Sequence, residues 1–344
     1  MGNIRDILKT RIKEFFLLWK HYSATYSLYN VLWWSCFYMR PPFCCKLSTY
    51  AIKKKTAWLD KYIESRYKNI IDKYKENNSN CNNGTMNEEP YIWVFWGQGE
   101  GNMPPLVKAC YRQLCSHNTN VKLITDNNLH NYIHLPEIIK KKVIRGNISW
   151  ANYSDIIRNS LLCKYGGLWI DATVWVRGAI PFDKLNNVEF FSANGIVPTS
   201  TRSIRFWTSF KHNWSTWCLW SKNSGNPLYS FVSEMLIAFA EDEEVWPDYV
   251  IQDYLIYYAS NHFPIVDVMM KEMKLCGILC DKRNTLATIM NEEFNEERYQ
   301  ELTKNNYFFK LSFRTKCHER TTEGKPTFYG RLICNILISV LTNA

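Results

Sequence analysis

The sequence predicts an α/β fold, and three observations carry that prediction. Short, dense apolar runs bounded by turn residues read as buried strands. Segments with helical apolar spacing lie between them. The order strand, helix, strand, with brief connections, builds a sheet covered by helices. The chain has 344 residues, 46% of them hydrophobic, enough for a sizeable core in one large domain or two small ones. Aromatic residues reach 15%, which excludes general disorder and fits either a thick aromatic core or a surface for flat, ring-shaped ligands.

The elements follow in order. In Ile4–Trp19, the residues Ile4, Ile7, Leu8, Ile12, Phe15, Phe16 and Trp19 recur near helical spacing, with Arg5, Lys9, Arg11 and Lys13 between them. The 19 residues between Lys20 and Arg40 carry no Lys, Arg, Asp or Glu. They are too polar to span a bilayer, and their Trp and Tyr, including Trp33 and Trp34, favour a headgroup region. Residues 1–45 are therefore expected to lie on a membrane surface; the alternative is two helices packed on the core. An Asn-rich polar linker is expected over 76–89. A buried strand is expected within 91–99, a helix from Pro104-Pro105 to Ser116, and a strand at Val121–Thr125. Pro136 opens another helix. Trp150–Tyr165 reads as a longer helix stopped by Gly166-Gly167, followed by a strand Leu168–Ile170. Phe190–Asn194 and Trp217–Ser221 are strand candidates. Asn226-Pro227 caps and begins a helix to Ala240, and Asp248–Ser260 is a further helix. Residues 1–88 form a basic helical region, 89–325 the α/β domain and 326–344 an apolar helix or tail.

Charge is unevenly placed. Residues 1–75 hold 15 Lys/Arg and five Asp/Glu, which accounts for the entire net charge of +10; the rest of the chain is neutral. That argues against a nucleic-acid binder and for attachment of residues 1–75 to an anionic membrane surface. The 12 cysteines are scattered, with no C-x-x-C and no His cluster to complete a zinc site. Buried free thiols are expected, and no signal-peptide pattern opens the sequence, so the expected location is cytoplasmic, peripheral on the inner face of the membrane.

The richest segment is Ser154–Val176, SDIIRNSLLCKYGGLWIDATVWV. Asp155 and Arg158 share a helix face, either as a surface ion pair or as a charged pair at a cleft where Arg158 grasps an anionic or hydroxyl-rich ligand. Asp171 follows an apolar strand, where open α/β sheets bind ligands. Asp248 and Asp253 read as a helix cap and a solvated acid, or else as groups facing an acceptor.

The pattern S-D-x-x-R followed by Y-G-G-L-W-I-D-A-T resembles the capsular polysaccharide synthesis glycosyltransferases, within the broader DXD sugar-binding, glycosyltransferase family 32-like group. The resemblance spans about residues 90–315. It implies a GT-A-type fold, a single mixed-sheet Rossmann-like domain here preceded by a helical extension. It implies transfer of a sugar from a nucleotide-diphosphate donor, usually with Mn²⁺ or Mg²⁺, to a growing surface polysaccharide or lipid-linked glycan. Retention of anomeric configuration also follows from the resemblance. Trp96, with Trp93 as second candidate, matches the tryptophan that stacks on the nucleotide base. Asp155 and Arg158 match the helix pair at the donor sugar, with Gly167 beside them. Asp171 matches the first Asp of D-x-D, and Thr173 replaces the second, leaving a weaker neutral ligand for a hard ion. Ser312, with Lys310 or Lys316, matches the closing segment that meets the β-phosphate, and His318 is a candidate metal ligand. Three rival readings are an inactive glycosyltransferase-like scaffold, a sugar-phosphate transferase and an aspartate-nucleophile phosphatase. The phosphatase would need a second acid two residues on, which Ala172-Thr173 does not supply.

Overall fold

β1 (Ile92–Phe95) is the apolar run expected after residue 90, and it is buried because sheet neighbours flank it on both edges. A computed structural model describes residues 4–36, 43–76, 89–194 and 214–341. The segment 77–88, most of the expected linker, lies outside the described residues. β1 pairs in parallel with β2 (Val121–Ile124) on one side and β3 (Gly167–Ile170) on the other. The helices Pro105–His117 and Trp150–Tyr165 make the connections that parallel pairing requires. β3 then pairs antiparallel with β6 (Cys218–Ser221), and β6 with β5 (Phe190–Ser192). The result is a five-stranded mixed sheet in the order β2-β1-β3-β6-β5.

Gly167 starts β3 because no other residue fits there. Its φ is +91°, and a Cβ would lie 2.5 Å from the carbonyl oxygen of Tyr91. That close approach lets the Leu168 N–H reach the same carbonyl at 2.8 Å.

The single sheet expected from the sequence is corrected. A second, three-stranded sheet runs β4-β8-β7, with β4 (Val174–Val176) antiparallel and β7 (Leu279–Cys280) parallel to β8 (Asn306–Lys310). Its core is separate, with Trp175, Phe309, Phe328 and Leu332 packed between the Pro105–His117 helix side and the C-terminal helix Phe328–Leu341.

In the N-terminal region the helices pack on the core, the alternative given above. The helices Ile4–His21, Ala24–Ser35, Phe43–Arg66 and Lys68–Glu76 share the main core with the sheet. Trp33, expected among lipid headgroups, is fully buried, as is Tyr26. Tyrosines from both sides bury their rings in this seam and donate their hydroxyls across it. Tyr26 donates to Pro247 O at 2.8 Å, Tyr67 to Glu243 at 2.8 Å, Tyr254 to Asp60 at 2.8 Å and Tyr258 to Glu64 at 2.8 Å. Lys55, buried, pairs with buried Asp248 and lies 4.3 Å over the Trp33 ring. Asp248 is thus buried in an ion pair, lines neither of the cavities described below, and accepts from Val250 N at 3.4 Å ahead of the helix. It precedes the helix Ile251–His262, which begins three residues later than expected. No described helix is long and apolar enough to cross a membrane. The described cysteines are free thiols.

Candidate functional site

Asp171 follows β3 directly, beyond the strand's carboxyl end. Its N–H donates to Trp217 O (2.9 Å) and its carbonyl accepts from Val174 N (2.9 Å), so a tight turn carries the chain from the large sheet into β4 of the small one. β4 pairs with β8 so that Val174 faces Lys310, and the Leu311 N–H donates to Thr173 O at 3.0 Å. Strand register therefore delivers Lys310 to the Asp171–Thr173 turn. Its Nζ donates to Asp171 Oδ2 at 2.6 Å and to Thr173 Oγ1 at 2.9 Å.

The other carboxylate oxygen, Oδ1, accepts from Trp169 Nε1 at 3.0 Å and Arg158 Nη2 at 3.1 Å. Arg158 comes from the buried face of the Trp150–Tyr165 helix, where Ser149 caps the first turn. It also donates to Thr216 O at 2.7 Å, pairs with Asp155 Oδ1 at 3.4 Å and lies over the Trp169 ring at 5.1 Å. The Asp155–Arg158 pair is therefore at a cleft, not on an open surface. Arg158 spends most of its donors on the protein and fixes both acids in place.

These charges oppose one another in an ordered way. Burial works against ionising Asp171, but Lys310 and Arg158 more than offset it and hold the carboxyl down at about 2. Burial raises Asp155 to about 6 against the pull of Arg158. Burial, reinforced by the charge of Asp155, raises Asp253 to about 7. Asp253 accepts from Trp214 Nε1 at 3.2 Å, so the expectation of a solvated acid is corrected.

Two adjoining cavities meet at Arg158, Asp171 and Lys310. The larger, about 870 Å³, is lined by Trp96, Trp150, Thr173, Ser312 and Phe313 among others. Trp96 and Phe313 meet edge to face at 5.7 Å, and Lys140 lies 4.7 Å over the Trp150 ring. The smaller, about 440 Å³, is acidic and aromatic, with Asp155, Asp253, Trp214, Trp217 and Tyr249.

The structure brings together Trp96, Asp155, Arg158, Asp171, Thr173, Lys310 and Ser312. It does not bring in the rest. Trp93 is fully buried with its Nε1–H on Gly166 O at 2.9 Å, which leaves no face for a base. Gly167 lies at the opposite end of β3 from Asp171. Lys316 and His318 are exposed, beyond the lining of either cavity, and their backbones bond to Asn291.

The donor set does not fit a resident divalent ion. Among the described residues no group of three or more His, Cys, Asp or Glu converges as a metal site. Both oxygens of Asp171 already accept from cations, and the Thr173 hydroxyl accepts from Lys310.

Sequence reasoning missed Trp150, Tyr249 and Asn284 as lining residues, and it offered Asp253 only as an alternative to a solvated acid. Trp150 stood at a helix start, where an exposed aromatic was a usable signal. Asn284, left-handed at φ 50°, carried none.

No curated protein matches in sequence. Among solved structures, the apo form of the WbbM bifunctional glycosyltransferase is similar with a TM-score of 0.36 and 11% identity, covering 74% of this chain and 51% of that one. This chain thus spans about half the length of that structure, and likeness at that level assigns no activity. Residues 45–332 match the model of the family described as capsular polysaccharide synthesis protein, and with well over half its length matched the chain belongs to that family.

Proposed function

We propose that the chain is a glycosyltransferase that moves a sugar from a nucleotide-diphosphate donor to a growing capsular or other surface glycan, free or lipid-linked. The observation that carries the reading is the junction of the two cavities at Asp171, Arg158 and Lys310, beyond the carboxyl end of β3. The parallel strands β2-β1-β3 followed by antiparallel β6 are compatible with a GT-A-type arrangement.

In this reading the nucleotide lies in the larger cavity, its base against Trp96. Stacking on an indole face tolerates any base. The diphosphate sits at Lys310 and Ser312, and the sugar reaches toward Asp155 and Asp253. Transfer breaks the bond between the anomeric carbon and the β-phosphate oxygen, and its electron pair stays on the diphosphate. The acceptor oxygen bonds to the anomeric carbon. For retention it arrives on the face the diphosphate leaves, and its proton passes to the departing phosphate oxygen. Lys310 stabilises the charge that develops there, and Asp155 and Asp253 hold hydroxyls in place.

Purified protein with a panel of nucleotide sugars and a membrane extract as acceptor source tests this. Release of nucleotide from one donor, lost in Asp171→Ala and weakened about tenfold or more in Trp96→Ala, is expected. No release from any donor would sink the proposal. NMR of fresh product reads the anomer.

Membrane attachment is proposed through one face of the first helix. Leu8, Ile12, Phe16 and Trp19 are exposed along it at helical spacing, beside exposed Lys9, Lys13 and Lys20. This face, not the buried Trp33, is suited to an anionic lipid surface.

A further inference from the structure

We infer that Lys310 supplies the positive charge that a divalent cation would otherwise bring to the donor's diphosphate, so that donor binding by this chain is metal-independent. The inference rests on the glycosyltransferase reading above and concerns how that site neutralises its ligand.

Position comes first. A D-x-D turn would offer two carboxylates to an ion from residues 171 and 173. Here the second position is Thr173, and the Lys310 ammonium stands between Asp171 Oδ2 (2.6 Å) and Thr173 Oγ1 (2.9 Å). A hydroxyl is the right partner for an ammonium already paired with one carboxylate, because it accepts a hydrogen bond without adding charge. A second carboxylate would leave less of the lysine's charge for a ligand.

Rigidity comes second. Pairing of Val174 with Lys310 and the bond from Leu311 N–H to Thr173 O (3.0 Å) lock the lysine's backbone to the turn it serves. The side chain is pre-placed and needs no ligand to order it.

Charge comes third. Arg158 lies 3.1 Å from Asp171 Oδ1, so the carboxylate already faces a cation on each oxygen. A dication entering between Asp171 and Thr173 would meet the ammonium at contact distance and would have to expel it. The lysine uses two of its three N–H groups on the turn, which leaves one for a phosphate oxygen. It lines both cavities with its side chain 30% exposed.

The test is isothermal titration of full-length protein with UDP, GDP, ADP and dTDP, in EDTA and again in excess Mn²⁺. In parallel, Mn²⁺ alone is titrated and followed by electron paramagnetic resonance. At least one nucleotide should bind in EDTA, with affinity changed less than threefold by Mn²⁺, and Mn²⁺ alone should show no stoichiometric site. Lys310→Ala should weaken that nucleotide at least tenfold in EDTA, while Lys310→Arg, which keeps the charge and controls for folding, stays within a few fold of wild type. Affinity that rises tenfold or more with Mn²⁺, a stoichiometric Mn²⁺ site lost in Asp171→Asn, or unchanged binding in Lys310→Ala would each overturn the inference. Failure of every nucleotide to bind, with or without Mn²⁺, would overturn the donor-binding reading itself and remove both.

Discussion

Asp253→Asn should change how stability depends on pH, and the structure sets both sign and size. Asp253 borders the smaller cavity, accepts from Trp214 Nε1 and faces the negative charge of Asp155. Burial and that neighbour raise its carboxyl from 3.8 to about 7. The folded protein therefore keeps this proton where the unfolded chain has released it. The stability contributed by the group is fully present below about pH 4 and declines as pH rises, until Asp253 ionises in the folded state near pH 7. A shift of about three units corresponds to about 4 kcal/mol at 1.36 kcal/mol per unit. Because Asp253 edges an open cleft, water screens part of this, and about 2 kcal/mol is the expected effect. Asn has the same shape and cannot ionise. Relative to wild type, the variant should gain about 2 kcal/mol at pH 8 and little at pH 4.5. Urea unfolding followed by tryptophan fluorescence, at half-unit pH steps, reads the difference. Asp155, raised to about 6, contributes its own slope to both proteins, so only the difference curve isolates residue 253. Wild-type and variant curves that run parallel from pH 4.5 to 8 would refute the reasoning.

Two other predictions concern the N-terminal helices. Lys55→Met strands the buried Asp248 carboxylate and should cost about 3–5 kcal/mol in urea unfolding, whereas Lys55→Met with Asp248→Asn should recover most of that; equal stability of the single and double variants would count against a buried charge pair. Phe16→Glu with Trp19→Glu should abolish sedimentation with phosphatidylglycerol vesicles at unchanged melting temperature, and wild-type sedimentation should fall as salt rises. Undiminished sedimentation of the double variant would dismiss this face as the lipid contact.

Local chemistry was legible in the residues. One helix start announced itself through its cap: Asn226 accepts from the second helical N–H, as such residues do. Gly166-Gly167 marked the passage from helix to strand because both adopt positive φ. Asp171, placed by an apolar strand, could be located without knowing its partners. The Trp and Tyr residues of 20–40 misled, because an amphipathic aromatic suits a lipid headgroup region and a protein seam equally well. The Tyr26 hydroxyl and the Trp34 indole found partners more than 200 residues away, Pro247 and Asp248.

By itself, then, the sequence determined the strands and connecting helices of the large sheet and the acid at the end of β3, since capping, periodicity and turn conformation act over a few neighbouring residues. Only the tertiary structure decided what that acid meets. Lys310 lies 139 residues from Asp171, and the register of β4 on β8 alone brings its ammonium to the carboxylate. The same holds for Asp253, whose raised carboxyl depends on burial and on Asp155 from another helix. Burial and electrostatic coupling depend on distance in space, and a chain's spacing in sequence does not specify that distance until the sheets have closed.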